Sequence, residues 1–97
     1  MIQSFATQGT KDIFERLNTK GARRTLPVEL HSKAHRQLLY LDAVKAVQEL
    51  QSPPSNRLEV LRGDRRGFWS IRVNDQFRII FRFLQGNAHD VEICDYH

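Results

Sequence analysis

The 97-residue sequence contains one cysteine, one methionine, one tryptophan and three prolines, and no lysine follows Lys45. Each scarcity excludes something. A lone thiol, Cys94, allows neither an internal disulfide nor a cysteine metal cluster, which suits a reducing, cytoplasmic setting and leaves the core to hold the fold. No stretch approaches the roughly 20 apolar residues of a membrane span. Met1-Ile2-Gln3-Ser4-Phe5 lacks the basic segment and apolar run of a secretory signal, so no targeting to a membrane or to export is expected. No internal repeat or low-complexity tract divides the chain. One domain of this length buries about two thirds of the unfolded chain's surface, so no metal staple is needed.

What is present is positive charge, unevenly placed. The formal net charge is +4 and the pI about 9.7, a balance that favours acidic partners, of which nucleic acid is the commonest. Seven of the eleven arginines fall after position 56: Arg57, Arg62, Arg65, Arg66, Arg72, Arg78 and Arg82. Arginine's planar fork stays charged at any working pH and meets phosphate with two N–H groups at once. Singly, such residues solvate a sheet face; as a group on ordered strands they point to an anion site.

Hydrophobic spacing gives the elements. Ile2 to Phe5 alternates like a short strand, and Ile13, Phe14 and Leu17 follow Thr10, a residue suited to a helix N-cap, at helical spacing until Asn18 to Gly21. The basic stretch Lys20 to Arg24 reads as a connection without structure. From Pro27 to Gln51, Leu30, Ala34, Leu38, Leu41, Val44, Val47 and Leu50 recur every three or four residues, which predicts one long amphipathic helix ended by Pro53-Pro54. His31 and His35 lie four apart on that helix, but no third ligand accompanies them, so no metal site is expected. Strands are predicted over 57–61, 68–73, 77–84 and 89–96, with turns at 63–67, 74–76 and 85–87. The fold class is α+β, in the order β-α-α-β-β-β(-β), an antiparallel sheet with two N-terminal helices packed on one face.

Register decides which side chains meet. With Val73 opposite Phe77, the residues Trp69, Ile71, Val73, Phe77, Ile79, Phe81 and Phe83 share the core face. The other face then carries Ser70, Arg72, Arg78, Ile80 and Arg82, with Arg72 directly opposite Arg78. Like charges opposed across a strand pair cost up to about 1 kcal/mol, which a bound polyanion would offset. If Phe83 faces Val91 and Phe81 faces Ile93, Glu92 falls across from Arg82 and Tyr96 across from Arg78. Strict alternation sends Asp95 and His97 towards the core side.

RNA cleavage by side chains alone needs a base for the 2′-OH, cations around the phosphate and an acid for the leaving 5′ oxygen. Arg78 and Arg62 suit the second role, with Arg65, Arg66, Arg72 and Arg82 as RNA contacts. His97 is the natural proton donor, because histidine titrates near neutrality. Tyr96 can stack a base, and Glu59 or Asp95 can act as base or hold the histidine. Spacing alone supports only a basic α+β domain that binds nucleic acid.

The residues themselves go further. Ser52-Pro53-Pro54-Ser55-Asn56-Arg57-Leu58-Glu59, Arg62-Gly63-Asp64-Arg65, Ser70-Ile71-Arg72-Val73-Asn74-Asp75-Gln76-Phe77-Arg78 and Asp95-Tyr96-His97 resemble the HigB toxins of bacterial toxin-antitoxin modules, in the RelE/ParE superfamily. The likeness spans the chain and is densest from Ser52 onward. It implies a small toxin, without cofactor, that cuts messenger RNA in the A site of the 70S ribosome. It also implies a HigA-type helix-turn-helix antitoxin as partner, with operator DNA reached only through that antitoxin. The matched functional positions are Arg62, Arg78, Asp95, Tyr96 and His97. Glu59 stands where some HigB proteins have a histidine, so the base remains open between Glu59 and Asp95. Two other readings compete: a ParE-like gyrase inhibitor, which needs no terminal acid-base pair, and a non-catalytic nucleic-acid-binding module, for which the arginine face suffices.

Overall fold

A computed structural model describes residues 1–96, so the expectation for His97 lies outside the described residues. Three helices precede the sheet: α1 (Gln8–Phe14), α2 (Lys20–Thr25) and α3 (His31–Ala43). Four strands follow, β1 (Glu59–Val60), β2 (Trp69–Arg72), β3 (Phe77–Leu84) and β4 (Asn87–Asp95), paired antiparallel in chain order. The α+β class and the helix-then-meander order are as read from the sequence. The first strand is not: Ile2 and Phe5 make isolated parallel bridges to Ala88 and Val91, covering the outer edge of β4.

The helices depart from the sequence reading in three places, each with a local cause. Thr7, not Thr10, caps α1, its hydroxyl accepting from the Thr10 N–H at 3.2 Å. Thr10 is fully buried, and its Oγ1 instead accepts the Ile93 N–H at 3.1 Å, tying α1 to β4. The stretch read as a structureless connection is α2, capped by Thr19, whose hydroxyl accepts from the Ala22 N–H. The Asp12 carboxylate accepts from the Thr19 hydroxyl at 2.7 Å and from the Gln8 amide at 2.8 Å, bonds that hold its pKa below the ordinary carboxylate value. Finally, the long helix is broken. A 3-10 turn (Val28–Leu30) leads into α3, Val44 is extended, and a second 3-10 turn (Val47–Gln51) follows. The Glu49 carboxylate receives the Lys45 and Ala46 N–H groups, both at 2.9 Å, that the interrupted helix leaves free.

All three helices pack on one sheet face. Ile13, Ala22, Leu26, Ala34, Leu38 and Leu41 meet Ile71, Val73, Phe77, Ile79, Phe81, Val91 and Ile93 in a single core cluster. Close approach of α1 to α2 needs glycine at position 9. A methyl there would stand 2.1 Å from Thr25 Oγ1 and 2.6 Å from the Gly21 carbonyl oxygen, and backbone cannot yield as a side chain can. Gly9→Ala is therefore expected to cost about 3 kcal/mol, the upper end for overpacking. A thermal melt would register this as a loss of roughly 10–20 °C in Tm; an unchanged Tm would mean that the two helices are not packed this closely.

Between β2 and β3 the register is the expected one, with Trp69, Ser70, Ile71 and Arg72 opposite Phe81, Ile80, Ile79 and Arg78. Between β3 and β4 it is not. Arg78 faces Cys94 and Ile80 faces Glu92, a register two residues away from that predicted, and pairing shifts again between Ile80 and Arg82. Asp90 takes φ 53° near this irregularity, a bulge that no hydrophobic count would locate. From Arg78 to Ile80 the slip is even, so those residues and Glu92 to Cys94 keep their faces; beyond the irregularity it is three residues, which puts Ala88 opposite Phe83 in the core and His89 opposite Arg82 on the second face. Ser70, Ile80 and Arg78 on the second face are nonetheless buried, which alternation alone had left open to solvent.

Candidate nucleic-acid interface

The second sheet face converges on Arg78. Its residue is 8% exposed, and two hydrogen bonds and an ion pair hold its guanidinium. Nε donates to Ser70 Oγ at 2.8 Å and Nη2 to the Arg57 carbonyl at 2.6 Å, while Nη1 stands 3.8 Å from Glu59 Oε1. The ring of Tyr96 lies over the guanidinium carbon at 5.6 Å from its centroid, within cation–π range. Buried charge requires such pairing, and these bonds hold the fork in one orientation.

Each partner is delivered by local structure. Arg57 caps the 3-10 turn Pro54–Asn56 in the left-handed region, φ 46°, ψ 56°, which turns its carbonyl towards Arg78. Asn56, buried, anchors that turn through donor bonds to the Leu50 and Ser52 carbonyls. Glu59 pairs with Ser70 across β1 and β2, so both share Arg78's face, and the Glu59 side chain stays 54% exposed. The Tyr96 N–H donates to the Gln76 carbonyl at 2.8 Å, and this bond brings Tyr96 to the β2–β3 turn, although Cys94 holds the position opposite Arg78. Asn74 shapes that turn, its Oδ1 accepting from the Gln76 and Phe77 N–H groups.

The like charges Arg72 and Arg78, directly opposed, are each given a carboxylate: Arg72 bonds Asp75, and Arg78 has Glu59. The result is an open depression walled by Arg57, Glu59, Arg72, Asn74, Asp75, Arg78 and Tyr96. Of the residues singled out in the sequence, it brings together Glu59, Arg72, Arg78 and Tyr96. Arg62, Arg65 and Arg66 are exposed on the turn leading from β1 into β2 and are not among its walls. Arg82 is engaged elsewhere, bonded through Nε and Nη2 to Asp90 at 2.9 and 2.8 Å. Asp95 pairs with Phe77 and accepts from the Gln76 amide at 2.9 Å. Among the described residues no group of three or more His, Cys, Asp or Glu is placed to hold a metal ion, and no helix is long and apolar enough to cross a membrane.

Two partners were missed in the sequence. Ser70 is legible in hindsight as a hydroxyl diagonal to Arg78 across one strand pair. The Arg57 carbonyl carries no side-chain signal at all.

Cys94, opposite Arg78, is half-buried. Burial pushes its pKa up, with the Glu92 carboxylate adding to the rise, against opposing pulls from Arg65 and Arg78. The thiolate is the reactive form, so alkylation is expected to run slower than for free cysteine throughout about pH 7 to 9 and to be still climbing at the upper end. Reaction at the free-cysteine rate would show the thiol to be open and unshifted.

A family model described as "RelE-like toxin of type II toxin-antitoxin system HigB" matches residues 3–97. The chain belongs to the HigB-like toxins. This HigB-like chain is 35% identical over 97 residues to a protein named Endoribonuclease HigB from Proteus vulgaris, covering all of both. It is 43% identical over 65 residues to Toxin HigB-1 of Vibrio cholerae, covering 67% of this chain and 68% of that one. Among solved structures, a chain of the YoeB-YefM complex from Staphylococcus aureus superimposes with a TM-score of 0.61 at 13% identity, over 100% of this chain and 98% of that one. YafQ from E. coli gives 0.56 at 7% identity, over 98% and 93%. These two likenesses establish a RelE-like fold for the HigB-like chain.

Proposed function

We propose that this HigB-like toxin is an endoribonuclease that cuts messenger RNA in the ribosomal A site and is neutralised by a HigA-type antitoxin. The observation that carries the reading is Arg78, a nearly buried guanidinium fixed by Ser70 and the Arg57 carbonyl on the floor of an open basic depression. The naming of the Proteus vulgaris relative as an endoribonuclease supports the same chemistry.

In this reading the 2′-OH of one nucleotide attacks the adjacent phosphorus, and the bond to the 5′ oxygen of the next nucleotide breaks. Arg78, with Arg72 beside it, faces the non-bridging oxygens as charge builds on them. Glu59, at the mouth and within reach of the same guanidinium, takes the 2′-OH proton. Tyr96 offers its exposed ring to a base. His97 returns a proton to the leaving oxygen, with Asp95 available to orient it. Arg62, Arg65, Arg66 and Arg82 hold RNA outside the cleft. No step calls for a cofactor. The open depression grips little of a substrate by itself, so the ribosome positions the codon, and naked RNA is cut poorly.

Controlled expression followed by mapping of messenger 5′ ends tests this, with Arg78→Ala as control. New ends inside translated codons, dependent on translation and absent in the control, are expected. Growth arrest without new ends, or efficient cutting of naked RNA by the pure protein, would contradict the reading.

A further inference from the structure

A second basic groove adjoins the first, and apart from Arg72 the chemistry above does not use its residues. Lys33, Arg36 and Tyr40 are spaced i, i+3 and i+7 on α3 and therefore share one helix face. With Gln37, Ser55 and Arg72 they line a groove between α3 and the loop ahead of β1, and none of its lining residues is a carboxylate. Arg72 lines both the groove and the Arg78 depression, so the two lie side by side.

The groove is built rather than incidental. Lys33 Nζ donates to the Val73 carbonyl, Arg36 Nη1 to Ser32 Oγ at 3.0 Å, and Gln37 Nε2 to the Arg72 carbonyl at 2.7 Å. Tyr40 is 38% exposed, and its hydroxyl donates to the Glu49 carbonyl at 2.9 Å, which holds the ring in place. Cations that track a backbone beside a fixed aromatic ring are the arrangement that binds single-stranded nucleic acid without regard to sequence.

We propose that this groove is a second RNA subsite, holding the messenger strand beyond the scissile phosphate with phosphates against Lys33 and Arg36 and a base on Tyr40. The proposal rests on the reading that the Arg78 depression takes the scissile phosphate.

The test uses the full chain and two probes of one sequence, a 2′-O-methylated dinucleotide and hexanucleotide, which lack the attacking hydroxyl and cannot be cleaved. Fluorescence anisotropy is expected to show the hexanucleotide binding roughly tenfold or more tighter. Lys33→Ala/Arg36→Ala should erase that advantage, leave the dinucleotide unchanged, and lower the slope of log affinity against log salt by about 1.4. Tyr40→Leu should weaken the hexanucleotide roughly tenfold, while Tyr40→Phe, which keeps the ring, should not. Equal affinity of the wild-type chain for both probes overturns the proposal. Wild-type affinity of Lys33→Ala/Arg36→Ala for the hexanucleotide, with Arg78→Ala weakening both probes, also overturns it and leaves the cleft reading standing. Unchanged binding of both probes by Arg78→Ala removes the cleft reading and the proposal with it. Loss of polyglutamate binding in Lys33→Ala/Arg36→Ala with no loss of hexanucleotide binding would assign the groove to an acidic protein segment instead.

Discussion

Replacing Arg78 with alanine is expected to lower messenger cleavage on programmed ribosomes by at least roughly 10²–10³-fold, the loss seen when one preorganised donor to a transition-state oxyanion is removed. Arg78→Lys should fare little better. Its single ammonium cannot serve Ser70 Oγ and the Arg57 carbonyl from one planar fork and still present N–H groups to a phosphate. Stability falls as well, because Ser70 is fully buried and loses its bonding partner, at about 1–3 kcal/mol. The two effects separate experimentally. A variant that melts only modestly lower, still binds ribosomes and yet leaves the messenger intact places Arg78 in the chemistry. Retention of more than a tenth of wild-type cleavage would make Arg78 a structural residue that orders the β1 approach.

That arginine was conspicuous in the sequence because strand alternation makes a strong claim about faces. Arg72 opposite Arg78 follows from the hydrophobic pattern of Trp69 to Phe83 once the short turn sets Val73 against Phe77, and β3 ends where the pattern ends. The register of β4 was hidden because the bulge near Asp90 adds a residue without changing which residues are apolar. The break after Ala43 did leave a trace. Leu38, Leu41, Val44, Val47 and Leu50 are spaced by three throughout, the period of a 3-10 helix, and at about 100° per residue each such step slips 60° off an α-helical face. Reading "three or four" as helical discarded that signal. The α2 helix was invisible for the opposite reason: its six residues carry one buried apolar side chain, and caps at Thr19 and contact with Gly9 hold it rather than amphipathicity. For the site itself, charged residues could be read and backbone acceptors could not. The Arg57 carbonyl points at Arg78 only because residue 57 turns left-handed.

Glu59→Gln carries the second large effect, an expected 10²–10⁴-fold fall in the cleavage step with messenger binding retained, as for loss of a general base. The bland account of Glu59 is an exposed carboxylate that steadies Arg78 across 3.8 Å. On that account glutamine, which keeps an acceptor oxygen at the same reach, costs little in the cleavage step, because Arg78 keeps its bonds to Ser70 Oγ and the Arg57 carbonyl. Magnitude alone therefore discriminates, and the leaving group supplies a second, independent measure. A substrate with sulfur in place of the bridging 5′ oxygen departs as a thiolate and needs no proton. It should restore a chain ending at Tyr96, which lacks the donor assigned to His97, and leave Glu59→Gln slow, because attack by the 2′-OH still requires a base. Rescue of Glu59→Gln by the sulfur substrate would make Glu59 the acid. The base would then have to be sought at Asp95, whose carboxylate is held by Gln76 on the far side of the β2–β3 turn.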